Sequence, residues 1–210
     1  KAHYGCSTEI GAELENQGDG TSCFGSHWEE KTMLGELMTA SQPVYGARKV
    51  VSAFTLAAFA DMGFYKVDMS LAKPLPWGYN AGCDFVNKKC FPPRRRKAKG
   101  EGGRSVSTPT STSLPSRYFC HAEEAGEEMC SFDRKSKGSC VVKRWADNGG
   151  SIPVEFQYFQ DPLLGGSSKM LDYCPVVEEF MNGNCEDASL GKDPNYSDLY
   201  KIKGEKYGPG

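Results

Sequence analysis

The sequence predicts an α+β fold, rich in loops and stapled by disulfides, on three observations. One segment in the first third carries helix signals at both ends. Two runs in the second half carry strand signatures. The chain also holds 24 glycines, 12 prolines and nine cysteines in 210 residues, which favours irregular connections over a helical bundle. Lys plus Arg is 25 and Asp plus Glu is 27, a net charge of −2. A chain this near neutrality does not bind nucleic acid through its overall charge. Hydrophobic residues make up 39%, lean in core-formers but above the composition of a disordered chain. The longest mostly apolar stretch, residues 50–60, is far shorter than the roughly 20 residues that span a bilayer. No targeting segment is recognisable. The chain opens at Lys1-Ala2-His3 without an initiator Met, and we expect it to be a piece of something longer.

Residues 1–26 are polar and glycine-rich and read as loop with a short helix near the start. A compact segment, GSHWEEKTMLGELMTA, occupies 25–40. VVSAFTLAAFADMGFY (50–65) is apolar on nearly every face, the pattern of a buried helix. Ser52 is its N-cap, because a hydroxyl can accept from a free first-turn amide. Gly63 can adopt the left-handed conformation that ends it. PWGYNAGCDF (76–85) reads as turn and loop. Residues 91–118 carry seven Lys or Arg and one acid, hence +6, which leaves −8 on the rest. After the basic run RRRKAK (94–99), Pro, Ser, Thr and Gly dominate, so this stretch is a linker or insertion without core-forming residues. Five basic residues in six, with no aromatic stacking platform, suit a solvated segment better than a nucleic-acid surface. Beyond it, SCVVKRW (139–145) and VEFQYF (154–159) are strand-like. In the second run Val154, Phe156 and Tyr158 take alternate positions. Asn148-Gly149 and Asn182-Gly183 mark turns. The last twenty or so residues are polar and are expected to be poorly ordered.

The cysteines are Cys6, Cys23, Cys83, Cys90, Cys120, Cys130, Cys140, Cys174 and Cys185. None has C-x-x-C spacing, which argues against a zinc ribbon or a thioredoxin-type site. Their density in a chain with little core material points to disulfides and an oxidising compartment. Nine is odd, so at least one is free or pairs outside this chain. Asn195-Tyr196-Ser197 is an N-glycosylation sequon, in keeping with a secreted or surface protein.

The sequence has no phosphate-binding G-x-x-x-x-G-K-[ST], no G-x-S-x-G elbow and no H-E-x-x-H. Its three histidines are His3, His27 and His121. A catalytic zinc site needs three protein ligands and an open position, and the spacing of these three presents no such set. His27 stands out, after a glycine-rich approach and before Trp28, Glu29 and Glu30. Met38 follows eleven residues later and would otherwise be an ordinary core methionine.

The segment GSHWEEKTMLGELMT resembles the part of leishmanolysin-type zinc metalloproteases that carries the third zinc-binding His and the Met-turn. CSTEIGAELENQGDGTS (6–22) is similar to that family's approach to the His. SAFTLAAFADMGFY (52–65) is similar to its helix after the Met-turn, and PWGYNAGCDFVNKKC (76–90) to its bridge into a C-terminal domain. FQYFQDPLLGG (156–166) and DYCPVV (172–177) are similar to segments of that domain. The segments run in the family's order over most of the chain, apart from 91–118 and the tail. Any one of them would be weak; the collinear set is specific.

The resemblance implies a metzincin-like architecture. Residues 1–88 would be the later part of the catalytic domain, 89–118 a linker or insertion, and 119–210 an incomplete, cysteine-rich, mainly β or irregular domain. It implies His27 as the third ligand of one catalytic Zn²⁺, Met38 as the hydrophobic floor beneath the metal, and roughly Thr39 to Tyr45 as a wall of the pocket for a substrate side chain. Two ligands and the general-base glutamate would lie upstream of Lys1. Glu29, Glu30 and Glu36 match no motif for that base and are expected to be structural or solvated. It implies the pairs Cys6–Cys83, Cys90–Cys174 and Cys120–Cys140, with Cys130 and Cys185 pairing downstream and Cys23 an extra, unpaired thiol. It implies proteolysis of protein or peptide substrates at the cell surface, a role in cell adhesion, and a membrane anchor outside this chain. The alternative is a non-catalytic, disulfide-stapled surface module derived from the same ancestor. The insertion at 91–118 separates Cys90 from Cys120 more widely than the family pattern does, and the missing H-E-x-x-H leaves this chain without half of an active site.

Overall fold

The computed structural model describes residues 1–17, 25–41, 49–88, 90, 118–185, 201–202 and 205–206. Cys23, Asn195, the RRRKAK run and most of the wall segment after Thr39 lie outside the described residues. The elements in order are α1 (Glu30–Met33), α2 (Ala53–Asp61), α3 (Cys83–Asn87), β1 (Glu128–Cys130), β2 (Ser136–Cys140), β3 (Lys143–Arg144), β4 (Leu164–Gly165), β5 (Val177–Asn184), β6 (Lys201–Ile202) and β7 (Glu205–Lys206). The helices precede residue 90 and the strands follow residue 127, so the mixed α+β character is segregated along the chain. β1, β2 and β5 form an antiparallel sheet with β2 in the middle, and β3–β4 and β6–β7 are two-stranded antiparallel pairs.

The core is aromatic and is centred on Trp77, which is 1% exposed. Its ring meets Tyr118, Phe119, Phe132 and Phe85 edge-on, with centroids 5.0, 5.7, 4.8 and 6.0 Å away. Edge-to-face contact places the positive ring edge on the negative face of a neighbour. Its indole N–H donates to the Lys31 carbonyl in α1 at 2.9 Å, so the one polar atom of the ring is satisfied. The following Gly78 has φ +73°, and a β-carbon there would lie 2.8 Å from the rings of both Phe85 and Tyr4; only glycine fits that turn. Leu171, Cys174 and Val176 join the same cluster as Tyr4, Met33 and Leu75, so the two halves of the chain share one core. Disulfides Cys6–Cys83, Cys90–Cys174 and Cys120–Cys140 close separations of 77, 84 and 20 residues. The first fastens the amino-terminal turn to α3, and the second ties the segment after α3 to the turn before β5.

Several sequence expectations are corrected. VVSAFTLAAFADMGFY does form a helix, over Ala53–Asp61, capped by Ser52, whose hydroxyl accepts from the Phe54 amide at 3.2 Å; Gly63 has φ +73°. The helix is not buried, since Thr55 is its one fully buried residue. An apolar circumference predicts burial only when other elements surround it, and α2 has one face against the body of the chain and the 3-10 turn Met69–Leu71 beyond it. VEFQYF is not a strand. Pro153 opens a 3-10 turn over Val154–Phe156, in which the Phe156 amide returns to the Pro153 carbonyl at 2.9 Å, so local bonds take the place of a ladder. SCVVKRW is split between β2 and β3. Asn182-Gly183 is no turn either: β5 runs through it, and Gly183 lies so close to the Lys137 carbonyl that a side chain would collide, a close-approach use of glycine within a strand. Asn148-Gly149 does turn, with Gly149 left-handed after a 3-10 turn. The described part of residues 1–26 holds turns and no helix, and PWGYNAGCDF ends inside α3. Part of the tail pairs as β6–β7.

An acidic knot joins the two halves. Glu15, Glu29, Glu30 and Asp172 are all buried. The Asn16 amide donates to Glu29 Oε2 at 3.2 Å, and Gln17 Nε2 donates to Asp172 Oδ1 at 3.1 Å. Burial is the leading cause that pushes the Glu15 carboxyl up to about 7 and that of Glu29 up to about 8, and mutual repulsion with Asp172 adds to it. Burial also raises Glu30 and Asp172.

Two predictions follow from this packing. Replacing Trp77 by Ala should cost about 3–5 kcal/mol of unfolding free energy, read by urea denaturation; a loss below about 1 kcal/mol would show that the aromatic cluster is not the core. Glu15 and Glu29 bind more protons folded than unfolded between pH 4.5 and about 7–8, so their contribution is complete below pH 4.5 and is lost as pH rises through 7–8. Glu29→Gln should therefore reduce the fall in stability between pH 5 and pH 8 by about 1–3 kcal/mol, measured by denaturant melts at both values. An unchanged pH slope would contradict it.

Candidate functional site

His27 sits on an extended segment pinned from both sides. The Glu15 amide donates to the His27 carbonyl at 2.8 Å, and the Trp28 amide donates to the Met38 carbonyl at 2.9 Å. Trp28 also bridges Leu14 antiparallel and Thr39 in parallel. Three extended pieces, around residues 14, 28 and 39, therefore lie side by side, and His27 is brought next to Met38. Between them the chain makes the single turn of α1, where Glu29 serves as N-cap by accepting from the Lys31 amide at 3.0 Å. Glu29 and Glu30 are buried in that turn and face the acidic knot.

His27 is half-buried, and its Nδ1 lies 2.9 Å from Ser26 Oγ. With Nδ1–H donating to that hydroxyl, Nε2 carries the lone pair, the arrangement that orients a metal-binding imidazole. Met38 is about one-third exposed. Its amide donates to Glu36 Oε2 at 2.5 Å. Lys49 Nζ donates to the Thr39 carbonyl at 3.0 Å, which holds the start of the wall segment.

The other two histidines are elsewhere. His3 Nε2 is bonded to the Trp77 carbonyl at 2.8 Å, and its ring packs edge-on against Tyr4 and Phe54; burial lowers its pKa. The His121 amide donates to Glu124 Oε2 at 2.6 Å beside a 3-10 turn of the second half. Among the described residues, no three His, Cys, Asp or Glu side chains converge as a metal-binding group. The donor set present here offers a zinc site no more than one imidazole, that of His27, on a segment whose backbone is bonded to that of Met38. Cys130 is a half-buried thiol at the end of β1, and the Cys185 thiol donates to the Gly183 carbonyl at 3.7 Å just past β5.

A groove of about 910 Å³ opens beside the site, with Trp28, Phe54, Ala57, Ala58, Leu75 and Tyr79 among its walls. No described helix is long and apolar enough to cross a membrane.

Sequence reasoning did not single out the groups that hold this site in shape. Glu36 was expected to be structural or solvated, and it proves fully buried with Met38, Ser52 and Thr55 as donors. Trp28 Nε1 donates to Thr55 Oγ1 at 2.8 Å. No spacing rule links residues 28, 36 and 55, so no signal in the sequence marks them as a set.

Comparison with known proteins gives the same family along the whole length. The family profile described as leishmanolysin matches residues 1–206. The leishmanolysin of Leishmania chagasi is 37% identical over 185 residues, which is 88% of this chain and 26% of that protein. The leishmanolysin of Leishmania amazonensis is 35% identical over 195 residues, 92% of this chain and 28% of that protein. The leishmanolysin-like peptidase of Drosophila melanogaster is 30% identical over 192 residues, covering 86% and 25%. The chain thus spans about a quarter of the length of the relatives it matches. With a matching profile over nearly all its residues, this chain belongs to the leishmanolysin family of zinc metalloendopeptidases.

Proposed function

We propose that this chain forms part of a leishmanolysin-type zinc endopeptidase that cleaves proteins at the cell surface, and that its share of the active site is His27 as one zinc ligand and Met38 as the floor beneath the metal. The observation that carries this reading is the hydrogen bond from the Trp28 amide to the Met38 carbonyl. It holds the imidazole segment and the methionine segment in register, eleven residues apart in sequence. The remaining ligands and the general-base glutamate belong to residues outside this chain.

Zinc bound there would polarise the scissile carbonyl and bring the pKa of its water toward ~7. The chain's own residues do the rest of what it contributes. Ser26 orients the imidazole, and Met38 offers an apolar, non-ligating surface. Thr39, held by Lys49, starts a wall against which a substrate side chain would lie. In this reading residues 1–88 complete a metzincin-like catalytic domain, 89–118 link it onward, and 119–210 open a disulfide-rich second domain. Three disulfides support an extracellular setting, with glycosylation at Asn195 and a membrane anchor supplied by residues elsewhere in the protein. Cys130 and Cys185 would pair with cysteines downstream.

The second reading is a non-catalytic surface adhesion module. It is favoured by the extent to which the described residues are committed to a shared core and disulfides, with one imidazole presented.

Zinc content separates the two. The 210-residue chain, dialysed and analysed by mass spectrometry, should retain well under one zinc per molecule and show no chelator-sensitive cleavage of casein, because one imidazole is too few ligands for a stable site. A polypeptide extended to include an upstream H-E-x-x-H should retain one zinc, and His27→Ala in it should weaken retention by at least ~10²-fold. Stoichiometric zinc on the short chain, or full retention in the extended His27→Ala variant, would refute the assignment of His27. An upstream sequence without H-E-x-x-H would favour the adhesion module.

A further inference from the structure

We infer that Glu36 is a positioning residue for the candidate metal centre, holding His27 and Met38 in place together through a buried relay that runs over Thr55 and Trp28. This deepens the zinc-ligand reading of His27 and rests on it for its functional meaning, while the relay itself is independent of any metal.

Glu36 is 0% exposed. Its Oε2 accepts the Met38 amide at 2.5 Å. Its Oε1 accepts three donors, the Ser52 amide at 3.0 Å, the Ser52 hydroxyl at 3.2 Å and the Thr55 hydroxyl at 2.7 Å. Thr55 Oγ1 in turn accepts the Trp28 indole N–H at 2.8 Å. Thr55 has one proton to give and gives it to Glu36, so its lone pairs face the indole. The direction of the chain, indole to hydroxyl to carboxylate, is fixed by chemistry, since the indole can only donate. Hydrogen bonds to a carboxylate are among the stronger ones, and the interior strengthens them further.

The consequence is geometric. Glu36 grips the Met38 backbone directly, two residues along the chain. It grips the residue after His27 indirectly, through the only polar atom of the Trp28 ring. The Trp28 amide closes the loop on the Met38 carbonyl. His27 and Met38 are thereby referred to one buried group rather than to each other across solvent. The Ser52 bonds add the first turn of α2 as the rigid support, because Ser52 also caps that helix. A neutral amide at position 36 would present a donor where four donors already converge, leaving at least one buried N–H without an acceptor.

The relay is read by NMR on the 210-residue chain labelled with ¹⁵N and with ¹³C methionine methyls, without metal. Glu36→Gln and Thr55→Val should raise the exchange rate of the Trp28 indole proton at least ~10-fold and shift both the His27 ring signals and the Met38 methyl. Thr55→Ser, which keeps the hydroxyl, should restore wild-type values. Ser131→Ala provides the structural control: it should lower the Tm by leaving the buried Ser136 amide without its acceptor, far from the relay, yet leave the Trp28 proton protected and the His27 signals in place. Should Glu36→Gln fail to fold, the Thr55→Val and Thr55→Ser pair gives the same readout. The inference is overturned if Thr55→Val leaves the Trp28 and His27 signals at wild-type values, or if Ser131→Ala moves them as far as Thr55→Val does. A failure of His27 to support zinc retention in the extended polypeptide would sink the metal reading and leave these signals untouched, so the two outcomes are distinguishable.

Discussion

The structure depends on one buried indole. Trp77 fills the centre of the aromatic core, and its N–H reaches the Lys31 carbonyl in α1, three residues beyond Trp28. The same ring lies against Tyr118, Phe119 and Phe132 from the second half. One side chain therefore fixes the turn that follows His27 and anchors the segment that leads into the sheet. The bond adds direction to what would otherwise be area burial, since a ring this large dominates a small core but cannot by contact alone choose its rotation. Gly78 is the counterpart, a backbone position with no room for a side chain between Phe85 and Tyr4.

Around this pin lie the disulfides, the acidic seam and the segments of the candidate site. The core and the Cys6–Cys83 and Cys90–Cys174 disulfides fix the ends of the long connections. The acidic knot of Glu15, Glu29, Glu30 and Asp172 occupies the seam between the halves, where burial raises the pKa of each carboxyl. Lys31 sits beside it with its ammonium committed to the Lys88 carbonyl at 2.9 Å. The His27 and Met38 segments lie above these, each held by main-chain bonds, with an imidazole and a thioether left open to the outside. The apolar groove flanking α2 continues that open side. On the proposed reading this surface would be one side of a metal centre, the rest of which lies in the parts of the relatives that this chain, about a quarter of their length, does not cover.

What was legible in the sequence divides by range. Helix α2 was readable because its cap signals are local: Ser52 accepts its own first-turn amide, and Gly63 takes a left-handed turn. Its burial was misread because burial depends on neighbours, and apolar residues on every face say only that neighbours are wanted. The strand reading at 154–159 failed for the converse reason: alternation needs a partner strand, and Pro153 instead starts a turn whose bonds close within three residues. Gly183 was read as a turn residue when the tighter constraint is the Lys137 carbonyl across the sheet. Cysteine spacing marked an oxidised chain and left the connectivity open, because nine cysteines permit many pairings; the particular pairs entered through family resemblance.

By itself, the sequence determined the family, the segregation of helical and strand-forming material, the caps of α2 and the choice of His27 and Met38 as residues of interest, all through signals confined to neighbouring residues or to collinear motifs. Tertiary structure alone decided that Trp77 bonds α1, that four acids share one buried seam, and that Glu36, Thr55 and Trp28 form a relay. These rest on side chains up to 155 residues apart in the chain, as between Gln17 and Asp172. The energy of such contacts depends on burial and distance, and neither quantity is written in local sequence order.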